Sequence, residues 1–438
     1  MREGFFDREG SERIEGSERI EGNVMGREGK NVGLVGMVWC RGGMNRIGVA
    51  PRGDGFHLLW AVSNNRIELD PVTSIDTPAV AIPPEARVQS IVDSPEFQAR
   101  LDALIAEVAE KANKSSPIKA RMVRELISSS LKLIPDGRDT GELKLIAAAV
   151  KELRYAYRVF GQYPDPHKVT IFGSARTPKN HPDYEATVEF SRLIAAQGWM
   201  VITGAGGGIM EAGHVGPGKD KSFGVAIRLP FEQSTNEVIA GDSKLITFRY
   251  FFTRKLMFIS QAEAVALFPG GFGTMDEGFE LLTLVQTGKA SMVPIVMCQG
   301  KGESYWQDFD SFIRKGLMSR GWVSEEDPHL YHIAETPAEA AEHITKFYSV
   351  YHSSRYVRDD LVIRLKHNIN DADVDMLNTK FAVLVKDGKM AMRPAFDVEE
   401  DHRDLPRLVF THNRRNFGHV RRLIDAINNC KASPAAAK

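Results

Sequence analysis

The chain of 438 residues has few cysteines and no excess of charge of either sign. Cys40, Cys298 and Cys430 are scattered without metal-ligand spacing and cannot all pair, which is typical of a protein in a reducing compartment. The formal net charge of −1 provides no global field for nucleic acid or anionic lipid. We therefore expect no nucleic-acid partner, and we expect any anion to be recognised locally.

Long apolar runs are also lacking. No stretch approaches the roughly 20 apolar residues that span a bilayer. The N-terminus carries Asp and Glu where a secretory signal would have a basic and then an apolar run. No cluster of His, Cys, Asp and Glu has the spacing of metal ligands. We expect a cytoplasmic protein without membrane contact, metal or cofactor.

The chain is longer than a domain with a single hydrophobic core usually is, so the sequence predicts a central domain with additional segments. Residues 10–16, Gly-Ser-Glu-Arg-Ile-Glu-Gly, recur almost unchanged immediately afterwards, and such polar repetition cannot bury a core. The predicted divisions are 1–43, a disordered segment or an upstream mis-start; 44–163, an extension that is mainly helical after 94; 164–350, the central domain; 351–431, a small α+β unit; and 432–438, a frayed tail.

In the central domain, short β-rich runs alternate with helical patterns. This alternation predicts an α/β fold with a doubly wound, mostly parallel, Rossmann-like sheet. The predicted strands are residues 169–172, 200–203, 223–228, 245–248, 264–268 and 294–297. In such sheets, ligands bind beyond the carboxyl ends of the strands.

Three turns follow predicted strands, and two of them are rich in glycine. The most informative is residues 269–277, Pro-Gly-Gly-Phe-Gly-Thr-Met-Asp-Glu, which opens a helical segment. Glycines without side chains let backbone N–H groups close on an anion, and the start of a helix adds its dipole. The other two turns, residues 173–176 and 204–210, fall at equivalent places. These turns predict a site for a phosphorylated small molecule.

These motifs resemble the LOG family of nucleoside 5′-monophosphate phosphoribohydrolases, long mislabelled as lysine decarboxylases. Residues 269–277 fill every fixed position of its signature, Pro-Gly-Gly-x-Gly-Thr-x-x-Glu. The family's Arg-Lys pair appears as Arg254 and Lys255, and its early glycine-rich turn as residues 203–212. The resemblance covers roughly residues 169–348, and its context looks more like the longer bacterial members than the short plant ones.

The resemblance implies hydrolysis of the N-glycosidic bond of a nucleoside 5′-monophosphate, with AMP favoured, to free base and ribose 5-phosphate. It implies catalytic roles for Arg254 and Glu277, and at least a homodimer. The residues that it implies for substrate binding are Gly173, Ser174, Gly206, Gly207, Met210, Lys255, Pro269, Gly270, Gly271, Gly273 and Thr274.

Other interpretations stand beside this one. Thr274 and Glu277 have the spacing of a capping box, in which Glu277 would only complete a helix start. Arg254 alone fits a solvated cation on the outer face of a helix. His181 and His214 are expected to be structural or on the surface.

The function also has competing classes. A nucleotide-binding module of the same superfamily would need no chemistry. A lysine decarboxylase would need a pyridoxal-phosphate lysine in a fold of another kind. Residues 204–209 resemble a dinucleotide fingerprint, but Ile209 stands where its third glycine belongs.

The C-terminal unit is predicted to contain strands at 359–366, 390–394 and 405–410 and helices at 371–384 and 418–429. It resembles ferredoxin-like regulatory modules by fold-level analogy. We therefore expect it to bind a small-molecule effector or to form an interface.

Overall fold

A computed structural model describes residues 91–112, 116–228 and 235–432. The predictions for residues 1–43, for the extension before residue 91 and for the tail after residue 432 lie outside these described residues. No helix within the described ranges is long and apolar enough to cross a membrane. The domain boundaries proposed from the sequence stay predictions.

Three helices precede the central sheet: α1 (Pro95–Lys111), α2 (Pro117–Lys132) and α3 (Thr140–Phe160). Their starts follow from local chemistry, because Ser94, Ser116 and Asp139 each accept a backbone N–H from the first turn. The α3 start is a full capping box, in which the N–H of Asp139 also donates to Glu142. The predicted helical extension is therefore present from residue 95.

The central sheet contains seven strands, and every strand pair in it is parallel. The strands are β1 (Lys168–Phe172), β2 (Met200–Thr203), β3 (Ser222–Ile227), β4 (Leu245–Phe248), β5 (Ala264–Leu267), β6 (Ile295–Met297) and β7 (Tyr331–Ile333). Their order is β4-β3-β2-β1-β5-β6-β7. The chain therefore runs outward from β1 in one direction and then resumes on its other side with β5.

Helices connect these strands and flank the sheet. They are α4 (Pro182–Ala196), α5 (Ile209–Val215), α6 (Phe251–Ser260), α7 (Phe272–Gln286), α8 (Tyr305–Phe312) and α9 (Pro337–Phe347). Strands β1, β2 and β5 are buried throughout, as strands covered on both faces should be. The predicted Rossmann-like α/β fold is confirmed.

The C-terminal unit is an antiparallel sheet of four strands with two helices. Its elements are β8 (Tyr351–Val357), β9 (Asp360–Leu365), α10 (Asp371–Lys380), β10 (Val385–Arg393), β11 (Arg407–His412) and α11 (Phe417–Ile427). The strand order is β10-β11-β9-β8. An element order of two strands, helix, two strands, helix is not the β-α-β-β-α-β order of a ferredoxin-like module, so that analogy is wrong.

A buried ionic cluster holds this unit together. The carboxylate of Glu399 accepts hydrogen bonds from Arg364 at 2.6 Å and from Arg407 at 2.8 Å, and all three side chains are buried. Burial alone would raise the pKa of Glu399, but the hydrogen bonds from Arg407 and Arg364 outweigh it and lower the pKa to about 2. The carboxylate therefore stays charged between the two guanidinium groups.

Substituting Gln for Glu399 should destabilise the fold strongly, because it leaves two buried guanidinium groups without a counter-charge. We expect the free energy of unfolding to fall by about 3 to 5 kcal/mol, measured by urea denaturation at neutral pH. Glu400→Gln is the matched control, since this neighbouring side chain is exposed. Equal stability of the two variants would contradict the assigned role of the cluster.

Candidate active site

Three loops meet beyond the carboxyl ends of β1, β2 and β5. The N–H of Ser174, after β1, donates to the carbonyl of Pro269, after β5, at 3.1 Å. The carbonyl of Ser174 in turn accepts the N–H of Ile209, at the end of the turn that follows β2, at 2.9 Å. Because the chain reverses its winding between β1 and β5, these loops occupy the switch point where such sheets bind ligands.

A cleft of about 780 Å³ opens between these loops. This volume lies within the range of small-molecule sites. Ten of the thirteen residues predicted for the site line the cleft: Gly173, Ser174, Gly206, Met210, Arg254, Gly270, Gly271, Gly273, Thr274 and Glu277. Residues that are distant in the sequence are thus brought together in one cavity.

Gly207, Lys255 and Pro269 do not line it. Pro269 contributes indirectly, through its carbonyl bond to Ser174. The Lys255 ammonium pairs with Asp276 at 2.5 Å and with Glu280 at 2.9 Å. Both carboxylates engage its charge, and the substrate contact predicted for Lys255 stays a prediction.

The glycine-rich loop leads directly into α7. Gly271 is the cap of this helix, so the first-turn N–H groups of Phe272, Gly273 and Thr274 have no carbonyl within the helix to bind. A Cβ at Gly270 would lie 2.1 Å from Thr274 Oγ1 and 2.9 Å from the Ser174 nitrogen. Only glycine fits there, and the loop can wrap closely around an anion.

Glu277 lies in the second turn of α7. Since Gly271 is the cap, Thr274 is the third helical residue and not the cap, and the capping-box interpretation of Thr274 and Glu277 is wrong. Burial raises the pKa of the Glu277 carboxyl, while the positive charges of Arg254 and Lys255 oppose the rise. A carboxylate with a raised pKa is a stronger base than one in water.

Arg254 projects from α6 into the same cleft. Its Nε donates to the carbonyl of Val225 at 2.8 Å, and its guanidinium lies 5.0 Å from the ring centre of Phe258. A Cβ built on Gly204 would approach Arg254 Nη2 to 2.5 Å, which places the guanidinium against the turn after β2. Burial lowers the pKa of Arg254 to about 10, opposed by the charge of Glu277. The interpretation of Arg254 as a solvated cation is therefore wrong.

Tyr305 and Arg176 are among the lining residues that sequence reasoning missed. Tyr305, the first residue of α8, donates its hydroxyl to the carbonyl of Gly270 at 2.5 Å and so braces the loop. Arg176 adds an exposed cation to the lining. Its place in the turn after β1 was a usable signal, whereas no motif marks Tyr305.

The two histidines have structural roles. His214 is fully buried, and its Nε2 lies 2.9 Å from Thr203 Oγ1 and 3.0 Å from the carbonyl of Phe223. Burial lowers the pKa of His214, which keeps the ring neutral. His181 caps α4 by accepting the N–H of Asp183. The expectation of a structural role is met by both.

The raised pKa of Glu277 predicts a pH profile. If Glu277 acts as a carboxylate, kcat/KM should fall as the pH decreases through a pKa above the ordinary value of about 4.3. A monophosphate substrate also titrates, near pH 6. Calorimetric binding of ribose 5-phosphate across the same pH range provides the control. An acid limb at or below pH 4.3 would contradict the assignment.

The part of the chain that forms the cleft is similar in sequence to known proteins. The family model described as "Possible lysine decarboxylase" matches residues 207–344. A probable cytokinin riboside 5′-monophosphate phosphoribohydrolase from Oryza sativa subsp. japonica is 25% identical over 185 residues, covering 41% of this chain and 72% of the relative. The family match falls in the central part of the chain, where the motifs resemble the LOG family, so this part of the chain is similar to that family.

Two solved structures that are distantly similar to this chain are of proteins named for the molybdenum cofactor. The molybdenum cofactor binding protein of Rippkaea orientalis is 18% identical, with a TM-score of 0.31, over 42% of this chain and 97% of its own. The Moco carrier protein of Chlamydomonas reinhardtii is 17% identical, with a TM-score of 0.29, over 41% and 96%. At these TM-scores, the likeness carries no argument about function.

Proposed function

We propose that the protein hydrolyses the N-glycosidic bond of nucleoside 5′-monophosphates, with AMP favoured, to release free base and ribose 5-phosphate. One observation carries the proposal: a half-buried carboxylate and a half-buried guanidinium, Glu277 and Arg254, share a single cleft with the glycine-rich loop of residues 269–274 at the start of α7, called the phosphate loop below. The activity in the name of the rice relative points in the same direction.

The phosphate loop would bind the 5′-phosphate. The free N–H groups at the start of α7 and the Thr274 hydroxyl are suitable donors, and the helix dipole adds to their attraction. Arg176 also lines the cleft and supplies an exposed cation. Anchoring the phosphate at this point fixes the ribose relative to the rest of the cleft.

Glu277 would act on the ribose. As the bond from C1′ to the base breaks, positive charge grows on the ribose, and a nearby carboxylate stabilises it. The same carboxylate can take a proton from the water that attacks C1′. The base leaves with the bonding electron pair and takes up one proton, so the water ends as the hydroxyl on C1′ and the proton on the base. Arg254 would hold the ribose or its phosphate in the reacting geometry and offset the charge of Glu277.

The carboxylate argues against a site that only binds. A phosphate dianion and a carboxylate in one low-dielectric cleft repel each other, which lowers affinity. A nucleotide-binding module gains nothing from this repulsion, whereas a hydrolase needs the negative charge. Met210, Ala226 and Ile227 supply apolar surface to the cleft, which suits a flat base.

A lysine decarboxylase is disfavoured by the lining of the cleft. Among the described residues, those that line it include no lysine, so none could form a Schiff base with pyridoxal phosphate there. An absorbance spectrum of the purified protein with a pyridoxal band would revive this alternative.

The test is to incubate the protein separately with AMP, GMP, CMP, UMP and adenosine and to separate the products. Free base and ribose 5-phosphate from a monophosphate, with little or no base from adenosine, is the expected result. Tight AMP binding without product would instead identify a nucleotide-binding module.

We also propose that the protein forms a homo-oligomer. The cleft lining includes two exposed aromatic side chains, Phe251 and Phe272, and α2 exposes Met122, Val123 and Leu126. Light scattering should give at least twice the mass of one chain, and a monomer would refute this proposal.

A further inference from the structure

Helix α3 lies outside the matched family region, yet it contacts the helix that carries Arg254. The carboxylate of Glu152 accepts the N–H of Arg249 through Oε1 at 2.8 Å. Its Oε2 accepts the hydroxyl of Thr253 at 2.7 Å. These bonds connect residues about a hundred positions apart, and one of them ends on the residue immediately before Arg254.

The start of α6 lacks a cap of its own. Its cap residue is Tyr250, whose side chain makes no capping hydrogen bond. The first turn of any helix leaves backbone N–H groups unpaired and carries the positive end of the helix dipole. From another helix, Glu152 places a negative charge at this positive helix end, and it accepts hydrogen bonds on either side of Tyr250, from the N–H of Arg249 and from the side-chain hydroxyl of Thr253.

Glu152 is itself held firmly. Ala156, Val159 and Phe160, in the last turns of α3 that follow Glu152, are buried. Phe160 stacks on Phe223 of β3 with ring centres 4.5 Å apart. Arg254 bonds through Nε to the carbonyl of Val225, also in β3. Helices α3 and α6 are thus fixed against the same strand, and Glu152 sets the position of one relative to the other.

We propose that Glu152 is a positioning residue for Arg254, so that the helical extension is part of the active-site framework. The proposal rests on the proposed function, in which Arg254 acts on the bound nucleotide. Loss of the carboxylate releases the first turn of α6 and shifts Arg254 within the cleft. Small displacements of a positioning group are costly, and about 1 Å can lower a rate by about a hundredfold.

The first experiment compares Glu152→Ala, Glu152→Gln and Glu142→Ala. Glu142→Ala is the matched control, because it removes the same charge from α3 and breaks its capping box without touching α6. We expect kcat/KM for AMP to fall about tenfold in Glu152→Ala, to recover in part in Glu152→Gln, which retains an acceptor oxygen, and to stay unchanged in Glu142→Ala. Equal losses in both alanine variants, or none in Glu152→Ala, would overturn the proposal.

A binding cycle separates this inference from the proposed function. In a Glu277→Gln background, calorimetry measures AMP affinity for Glu152→Ala, Arg254→Ala and the double variant. If Glu152 acts through Arg254, the double variant should bind AMP no more weakly than Arg254→Ala alone. Additive losses would refute the coupling. Absence of product with the unsubstituted protein would refute the hydrolase, while the calorimetric cycle would still decide the role of Glu152.

Discussion

Replacing Glu277 by Gln is expected to lower the rate of base release from AMP by about a thousandfold, near the middle of the range for loss of a general acid or base. The amide keeps the shape of the side chain but can neither accept the proton of the attacking water nor stabilise positive charge on the ribose. AMP affinity, measured by calorimetry, should rise or stay unchanged, because the repulsion between the carboxylate and the phosphate dianion is gone.

Asp276→Asn is the matched control for this loss. Asp276 is the preceding residue of α7 and carries the same charge, but it is largely exposed and pairs with Lys255. Its substitution should leave kcat within about twofold, since surface pairs contribute little. A Glu277→Gln variant that retains a tenth or more of the activity would show that another group performs the chemistry.

The strands were predictable where their burial determines the local sequence pattern. Strands β1, β2 and β5 are short, mainly apolar runs because helices cover both faces of the sheet, and all three were predicted within one residue. Strand β7 was missed because it has only three residues, half-buried and including a histidine. Strand β8, Tyr-His-Ser-Ser-Arg-Tyr-Val, was missed because it is an edge strand with a largely polar sequence.

The same distinction applies to the site. The glycine-rich turns were predictable because each is a contiguous motif whose function depends on its own backbone. Tyr305 and Glu152 were not, since their contacts span 35 and about a hundred residues and no motif accompanies them. The capping-box interpretation of Glu277 was wrong for a related reason: the spacing of Thr274 and Glu277 does not reveal that α7 already begins at Phe272.

The second large effect is expected at Gly270, where an alanine should destroy the phosphate loop. Its Cβ would lie within 2.1 Å of the Thr274 hydroxyl oxygen and 2.9 Å of the Ser174 nitrogen, and real Cβ atoms do not approach so closely. The Ser174 backbone cannot give way easily, because its N–H and carbonyl join all three loops of the cleft. The carbonyl of Gly270 would also move away from Tyr305.

We therefore expect Gly270→Ala to raise the KM for AMP by about a hundredfold and to lower the preference for AMP over adenosine by a similar factor, because the contacts that are lost are those to the phosphate. Gly271→Ala is the matched control: it makes the same change in the next residue, where a Cβ meets nothing within 4 Å and φ is −90°. It should leave KM within about threefold, since neither space nor backbone opposes the methyl group.

Equal effects of the two substitutions would mean that the motif needs glycine for flexibility and not for the close approach at Gly270. Loss of kcat with KM and the AMP preference unchanged would mean that this loop does not bind the phosphate, and the 5′-phosphate would then have to be sought at the exposed cation of Arg176.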